Sequence, residues 1–130
     1  MIPKANARES TLPWQSDAYH VAARYKELDT LWEGEGVQVQ YVEVEAGGRI
    51  LPHTRKTTEL LYCLTGEGRF TLDKEEIAIS SGDCFVAPRH RVQGVSNQGG
   101  APLHLLIIQL PDERQHLAAR LFGLFSRGPS

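Results

Sequence analysis

The chain has 130 residues and a mass of 14.5 kDa, which is enough for one domain with a single hydrophobic core. Its hydrophobic content of 41% and charged content of 23% are ordinary for a globular domain. A net charge of -2 gives no reason to expect a nucleic acid partner. No segment approaches the ~20 apolar residues of a membrane span, and the N-terminus lacks the apolar run of a secretory signal, so we expect a cytoplasmic protein without a membrane partner.

Strand-like patterns follow one another through the middle of the chain. They comprise a half-buried strand over residues 37–47, hairpins over 60–72 and 75–88, and a buried strand over 103–110. The first hairpin is predicted to turn at Gly66-Glu67-Gly68, because glycine supplies positive φ angles, and the second at residues 80–83. Many short strands at regular spacing predict an all-β antiparallel sandwich or barrel.

The two ends of the chain differ from this middle part. Residues 1–34 are interpreted as an N-terminal arm, polar and aperiodic over residues 1–16, followed by the first strand or strands. Residues 35–110 form the predicted barrel. Residues 111–130 carry apolar side chains near helical spacing, which predicts a C-terminal amphipathic helix and tail within the same domain.

Cys63 and Cys84 both fall in strand-like segments. Without a secretory signal, we expect two reduced, buried thiols, with a redox pair as the alternative. Cys63 shares strand parity with Glu59 and could line a pocket, whereas Tyr62 should point outward.

Two groups of residues recur at characteristic spacing. The first group is Gly47, His53, Arg55, Glu59 and Gly66, and the second is Gly82, Pro88, Gln93 and Asn97. Their spacing resembles the two signature motifs of the cupin superfamily, G-x5-H-x-H-x3-E-x6-G and G-x5-P-x-G-x2-H-x3-N. The resemblance covers about residues 35–110 and implies a small RmlC-like β-barrel of jelly-roll type.

The resemblance also implies a metal site, although its motif is degenerate here. In the family, the corresponding positions point into the barrel and hold one divalent ion, commonly Fe, Mn, Ni, Zn or Cu, which makes His53, Glu59 and Gln93 the candidate ligands. Arg55 stands where a second histidine is usual, and Gln93 where the last one is usual. A guanidinium cannot coordinate a metal, and two unit charges 4 Å apart repel by about 4 kcal/mol at an effective dielectric of 20. A metal-bound centre and a metal-free one therefore both stay open.

Without a metal, His53 and Glu59 would act as general base and acid, and Arg55 would stabilise developing negative charge. Arg55, Gln93 and His104 are the candidate substrate-binding residues, with His104 included if its side chain faces the interior. His90 is an alternative fourth metal ligand if the register of the second motif is shifted.

Several cations flank the predicted site. They are Arg49, Arg55 and Lys56 in the first motif, and Arg89, His90 and Arg91 in the second. The family fold brings the two segments together near the barrel mouth, where clustered cations would attract a carboxylate or phosphate group. We therefore expect a small anionic metabolite as the ligand.

Two classes of function fit these observations. One is a small cupin enzyme, with isomerase, lyase or cyclase chemistry favoured over oxygenase chemistry. The alternative is a non-catalytic ligand-binding or sensor module. The strands around residues 60–64 and 105–110 are apolar on both faces, which implies a cover from the tail helix or a second subunit. We expect a homodimer.

Overall fold

The computed structural model describes residues 9–28 and 37–110. Its elements are a 3-10 turn at Glu9–Thr11 and the strands β1 His20–Glu27, β2 Gln38–His53, β3 Glu59–Thr65, β4 Glu67–Leu72, β5 Glu75–Ser80, β6 Cys84–Ala87, β7 Gln93–Ser96 and β8 Leu103–Gln109. Within the described residues, no helix is long and apolar enough to cross a membrane. The predicted C-terminal helix at 111–130 lies outside the described residues.

All strand pairs are antiparallel and follow the order β5-β4-β7-β2-β8-β3-β6, with β1 also paired to β2. Strand β2 joins the two halves of the sheet, because its residues 38–44 pair with β8 and its residues 49–53 with β7. The sheet therefore curls around a common interior. The predicted all-β antiparallel barrel is confirmed.

One core fills this interior. Its fully buried side chains include Leu61, Leu103, Leu105, Val42, Val44 and Cys63. On β8 the buried positions alternate with half-buried ones, as expected for a strand whose two faces meet different surroundings. Cys63 is buried as predicted, but Cys84 is exposed, because it alternates onto the outer face opposite Tyr62.

The two predicted hairpins are wrong, although their strands exist. Strands β3 and β4 flank Gly66, yet β3 pairs with β6 and β8, whereas β4 pairs with β5 and β7. Likewise, β5 and β6 on either side of residues 80–83 belong to different halves of the sheet. These turns are corners at which the chain crosses between halves. The β4–β5 hairpin turns instead at residues 73–74, where Asp73 has a φ of 54°.

Candidate functional site

Four residues singled out by the two motifs share one cavity inside the barrel. His53, Arg55, Glu59 and Gln93 line it, together with apolar side chains of the core. The cavity has a volume of about 20 Å³, which is room for about one water molecule. Three of these residues are nearly inaccessible, with exposed fractions of 8% for His53, 3% for Glu59 and 4% for Gln93.

His53 ends strand β2, opposite Gln93 on β7. Ile50 and His53 are three residues apart, so in a regular strand their side chains would face opposite sides. The register of this strand pair shifts between them, and both side chains are therefore buried. The Nδ1 atom of His53 lies 2.7 Å from the carbonyl oxygen of Leu51. A carbonyl can only accept, so this contact places the proton of a neutral ring on Nδ1 and leaves Nε2 with a lone pair. His53 is thereby set up as a base.

Glu59 begins strand β3, and two amides hold its carboxylate. Gln93 Nε2 donates to Oε1 at 2.7 Å, and Gln109 Nε2 donates to Oε2 at 3.1 Å. Gln109 is the residue that faces Glu59 across the β3–β8 pair. These two hydrogen bonds engage both oxygens of the buried carboxyl group and fix its orientation.

Arg55 lies beyond the end of β2, in the loop that leads to β3. Its Nη2 atom donates to Asp17 Oδ2 at 3.2 Å, so its ion-pair partner is Asp17 and not Glu59. Its Nε is buried and has no hydrogen-bond partner within the described residues. A buried guanidinium N–H without an acceptor lowers the stability of the fold. This N–H is therefore positioned to donate a hydrogen bond to a ligand oxygen or a water molecule.

The N-terminal segment supplies site residues that the motifs do not include. The Tyr19 ring stacks on the His53 ring at a centroid distance of 4.4 Å and an interplanar angle of 16°. His20 lines the cavity, and its side chain is only 6% exposed. Burial lowers the pKa of His20 against the attraction of Asp17, and the Arg55 and His53 charges lower it further. The sequence pattern of residues 16–20 could not predict this placement. The contacts join residues more than thirty positions apart in the chain, and such contacts leave no local pattern.

Asp17 is the anionic partner in this segment. Burial raises the pKa of its carboxyl group, but the Tyr19 backbone N–H, His20 and Arg55 more than offset this and hold the pKa below its usual range. The carboxylate therefore stays ionised at neutral pH.

His104 and His90 lie away from the cavity. On β8 the residues that face the interior are Leu103, Leu105 and Ile107, so His104 has the opposite parity. It lies on the outer face, with Nε2 3.0 Å from Glu43 Oε2 and Nδ1 2.8 Å from the Thr65 hydroxyl. His90 is exposed and has a φ of 65° in the turn after β6.

The two cation-bearing segments meet as predicted, because the His90 N–H donates to the Arg55 carbonyl at 2.8 Å. Their side chains do not all converge. Arg55 lines the cavity, whereas Arg49, Lys56 and Arg91 are exposed, and Arg91 pairs with Asp73. The local positive charge of the cavity thus comes chiefly from one guanidinium.

The donor set does not fit a divalent metal. Among the described residues, no three His, Cys, Asp or Glu side chains converge as a metal site would require. Both Glu59 oxygens already accept amide N–H groups, and Gln93 presents its amide nitrogen to Glu59. Arg55 also lines the cavity, and its guanidinium has no lone pair with which to coordinate a metal. We therefore derive no chemical step through a metal.

A second depression lies elsewhere on the barrel. This open groove of about 480 Å³ runs along β4 and β5, between Arg69 and Gly99. It is larger than the interior cavity, but its lining has no histidine or cysteine, and Arg69 pairs with Glu76 at 3.5 Å. Its chemistry is that of an ordinary surface, so the interior cavity is the candidate site.

Comparison with known proteins agrees with this architecture. The Cupin_2 family model, described as a cupin domain, matches residues 40–109. Uncharacterized protein MJ1618 of Methanocaldococcus jannaschii is 32% identical over 80 residues, which cover 59% of this chain and 64% of that protein. The chain thus spans less than two thirds of this relative.

Two solved structures show the same fold. A Cupin 2 conserved barrel domain protein from Salinispora arenicola superposes with a TM-score of 0.70 at 15% identity, covering 92% of this chain and 98% of that one. The polyketide cyclase RemF from Streptomyces resistomycificus gives 0.69 at 18% identity, covering 82% and 79%. The family match extends over more than half of the chain, and the structure of the matched residues is an antiparallel barrel. This chain therefore belongs to the cupin domain family.

Proposed function

We propose that this cupin is a small enzyme that acts on an anionic metabolite by metal-independent acid–base chemistry, of the isomerase, lyase or cyclase type. The observation that carries the proposal is the convergence of His53, Glu59 and Arg55 on one cavity. His53 offers a lone pair on Nε2, and Glu59 offers a second group that can exchange a proton. Arg55 has a buried N–H that finds no acceptor within residues 9–28 and 37–110.

These groups support one type of step. His53 would remove a proton from a carbon next to a carbonyl or carboxylate group of the substrate. Arg55 would bind the substrate anion and stabilise the enolate as charge develops. The proton would then return at a second position of the substrate. It would come from the His53 imidazolium, or from Glu59 if Glu59 enters the step protonated and is reprotonated from solvent, and this gives isomerisation, elimination or ring closure.

Two further observations support the proposal. RemF, which has the same fold, is a polyketide cyclase, so a barrel of this type accommodates cyclisation. The oxygenase alternative would need a redox metal, and the donor set does not fit one. Gln93 is then a positioning residue for Glu59, and not a metal ligand. A cytoplasmic location and a homodimer remain part of the proposal.

Solvent deuterium exchange tests the proposal before the substrate is known. The protein would be incubated in D2O with a panel of small 2-oxo and 3-oxo carboxylates, and loss of the proton next to the carbonyl followed by NMR. We expect catalysed exchange for at least one compound, a loss of roughly 100-fold or more in His53→Asn, and no change after treatment with a chelator.

His104→Asn is the matched control, because it removes a histidine from the opposite face of the sheet. Binding of panel compounds with no exchange in the wild-type protein would favour the non-catalytic binding module. Exchange that the chelator abolishes would contradict the metal-independent mechanism.

A further inference from the structure

The turn at residues 17–20 lies against the cavity, and His20 is part of the cavity lining. Asp17 Oδ1 accepts the Tyr19 N–H at 2.8 Å, and the His20 N–H donates to the Asp17 carbonyl at 3.2 Å. Backbone contacts hold both ends of the turn. The Leu51 N–H donates to the Tyr19 carbonyl at 2.7 Å, His20 pairs with Ile50 of β2, and Gln15 and Tyr25 exchange two hydrogen bonds of 2.8 Å. Between these two ends, the Asp17 and Tyr19 side chains are positioned by the short-range bonds of the turn and by two side-chain contacts.

Those two contacts are made to the site residues. The Asp17 carboxylate lies on the Arg55 guanidinium at 3.2 Å, and the Tyr19 ring lies flat on the His53 ring at 4.4 Å. The ion pair is not sealed from solvent, since the side chains of Arg55 and Asp17 are 32% and 31% exposed. Tyr19 itself is 39% exposed, so the turn covers the site from the solvent side.

The enclosed space is too small for an organic substrate. About 20 Å³ accommodates one water molecule, whereas binding sites for small metabolites are an order of magnitude larger. A ligand that reaches both Arg55 and His53 must therefore take the places of the groups that now cover them.

We infer that the Asp17 and Tyr19 side chains occupy the binding positions of a ligand. This ligand is a compact molecule whose carboxylate is attached directly to a planar unsaturated ring or chain. Its carboxylate replaces that of Asp17 on Arg55, and its planar group replaces the Tyr19 ring on His53. The Tyr19 ring centroid is 5.7 Å from Arg55 Cζ, a span that suits a ring and a carboxylate bonded directly to each other. This inference rests on the proposed function.

Strand β1 is irregular next to the turn, so the Asp17 and Tyr19 side chains can move while the strand stays paired. The register between β1 and β2 shifts between Val21 and Ala23, and Ala22 has a φ of 50°, which is sterically unfavourable for alanine. The ladder over residues 23–27 is continuous on the far side of this irregularity. Displacement of Asp17 and Tyr19 therefore breaks the ion pair, the ring stack and a few hydrogen bonds, but not the strand.

The test measures binding of benzoate by isothermal titration calorimetry at neutral pH. Asp17→Asn removes the internal competitor, so we expect benzoate to bind about fivefold more tightly than to the wild type. Asp73→Asn is the control, because it makes the same charge change at a surface aspartate paired with Arg91, away from the cavity. Arg55→Gln should abolish measurable binding to both the wild-type and the Asp17→Asn protein.

A second probe tests the planar group. Cyclohexanecarboxylate carries the same charge on a puckered ring, so it should bind more weakly than benzoate to the wild type and to Asp17→Asn. Equal affinities for the two acids would overturn the planar part of the inference. In NMR spectra, benzoate should also shift the His53 ring signals as the Tyr19 ring leaves.

The outcomes separate the two proposals. Benzoate binding that requires Arg55 but is equal in wild type, Asp17→Asn and Asp73→Asn would overturn the exchange with Asp17 and leave the anion site intact. No binding to any variant, or binding that survives Arg55→Gln, would overturn the proposed anionic site and the inference together.

Discussion

At the scale of single residues, two glycines with similar backbone angles face different surroundings. Gly66 has a φ of 93° and Gly82 a φ of 92°, in the region that side-chain-bearing residues avoid. A Cβ on Gly66 would lie 2.6 Å from the Pro102 carbonyl oxygen, whereas one on Gly82 would meet nothing within 4 Å. The pair separates backbone strain from steric overlap.

We therefore predict different costs for the two alanine variants. Gly82→Ala should lower the free energy of unfolding by about 1–2 kcal/mol, the cost of the left-handed conformation alone. Gly66→Ala adds a clash with backbone that cannot rotate away, for a total of about 3–4 kcal/mol. Urea unfolding measures both, and equal losses would show that the β3–β4 corner yields to the added methyl group.

His20 gives a prediction about pH. Its pKa lies below the usual 6.5, because of burial and the charges of Arg55 and His53, with Asp17 opposing. As the pH falls, the His20 ring of the unfolded chain is therefore protonated at a higher pH than that of the folded protein. The free energy of unfolding then decreases as the pH drops below about 6.5. Urea midpoints at pH 7, 6 and 5 should decline in the wild type and decline less in His20→Asn.

His90→Asn is the control for this measurement, since it removes an exposed histidine from a turn. Asp17 titrates below the ordinary carboxyl value of 3.8, so its contribution is lost only at lower pH. A slope in His20→Asn as steep as in the wild type and the His90→Asn control would contradict the prediction.

The candidate site was predictable from the sequence only in part. The motif spacing identified His53, Arg55, Glu59 and Gln93, because the family resemblance places these positions inside the barrel. Gln109, Asp17, Tyr19 and His20 could not be found in that way. Their roles depend on pairing between distant strands and on a turn, and neither leaves a periodic signal.

At the scale of elements, strand existence was more predictable than strand pairing. The alternation of side chains located β3 to β5 and β8 to within a few residues, but it ended β2 at residue 47, whereas the strand continues to His53. It could not show that the chain changes sheet half at Gly66 and near Gly82, because a glycine with positive φ serves a hairpin and a corner equally well. The β4–β5 turn at Asp73-Lys74 had no glycine to mark it.

Strand β2 shows the same limit within a single element. Val42, Val44 and Ile50 are buried at even positions, and His53 at an odd one. The register shift between Ile50 and His53 reverses which side chains face the interior. Parity counted from the start of the strand would have turned His53 outward, and only its position in the motif predicted otherwise.

At the scale of the whole molecule, the outer face of the β2-β8-β3-β6 half is apolar. The registers align its side chains in rows: Val39, Ile108, Leu60 and Val86 in one, and Tyr41, Leu106, Tyr62 and Cys84 in the next. Val86 is 50% exposed and Tyr62 40% exposed. Apolar rows this broad are typical of surfaces that another protein surface covers.

We predict that two copies of the chain associate through this face. Val86→Glu would bury a charge in the interface, so it should convert a wild-type dimer into a monomer in sedimentation velocity at micromolar concentration. Ile77→Glu is the matched control, because Ile77 is 46% exposed on β5, in the other half of the sheet, and should leave the dimer intact. A monomeric wild type would show that association is absent. A dimer that survives Val86→Glu but not Ile77→Glu would place the interface on the β5 side of the barrel.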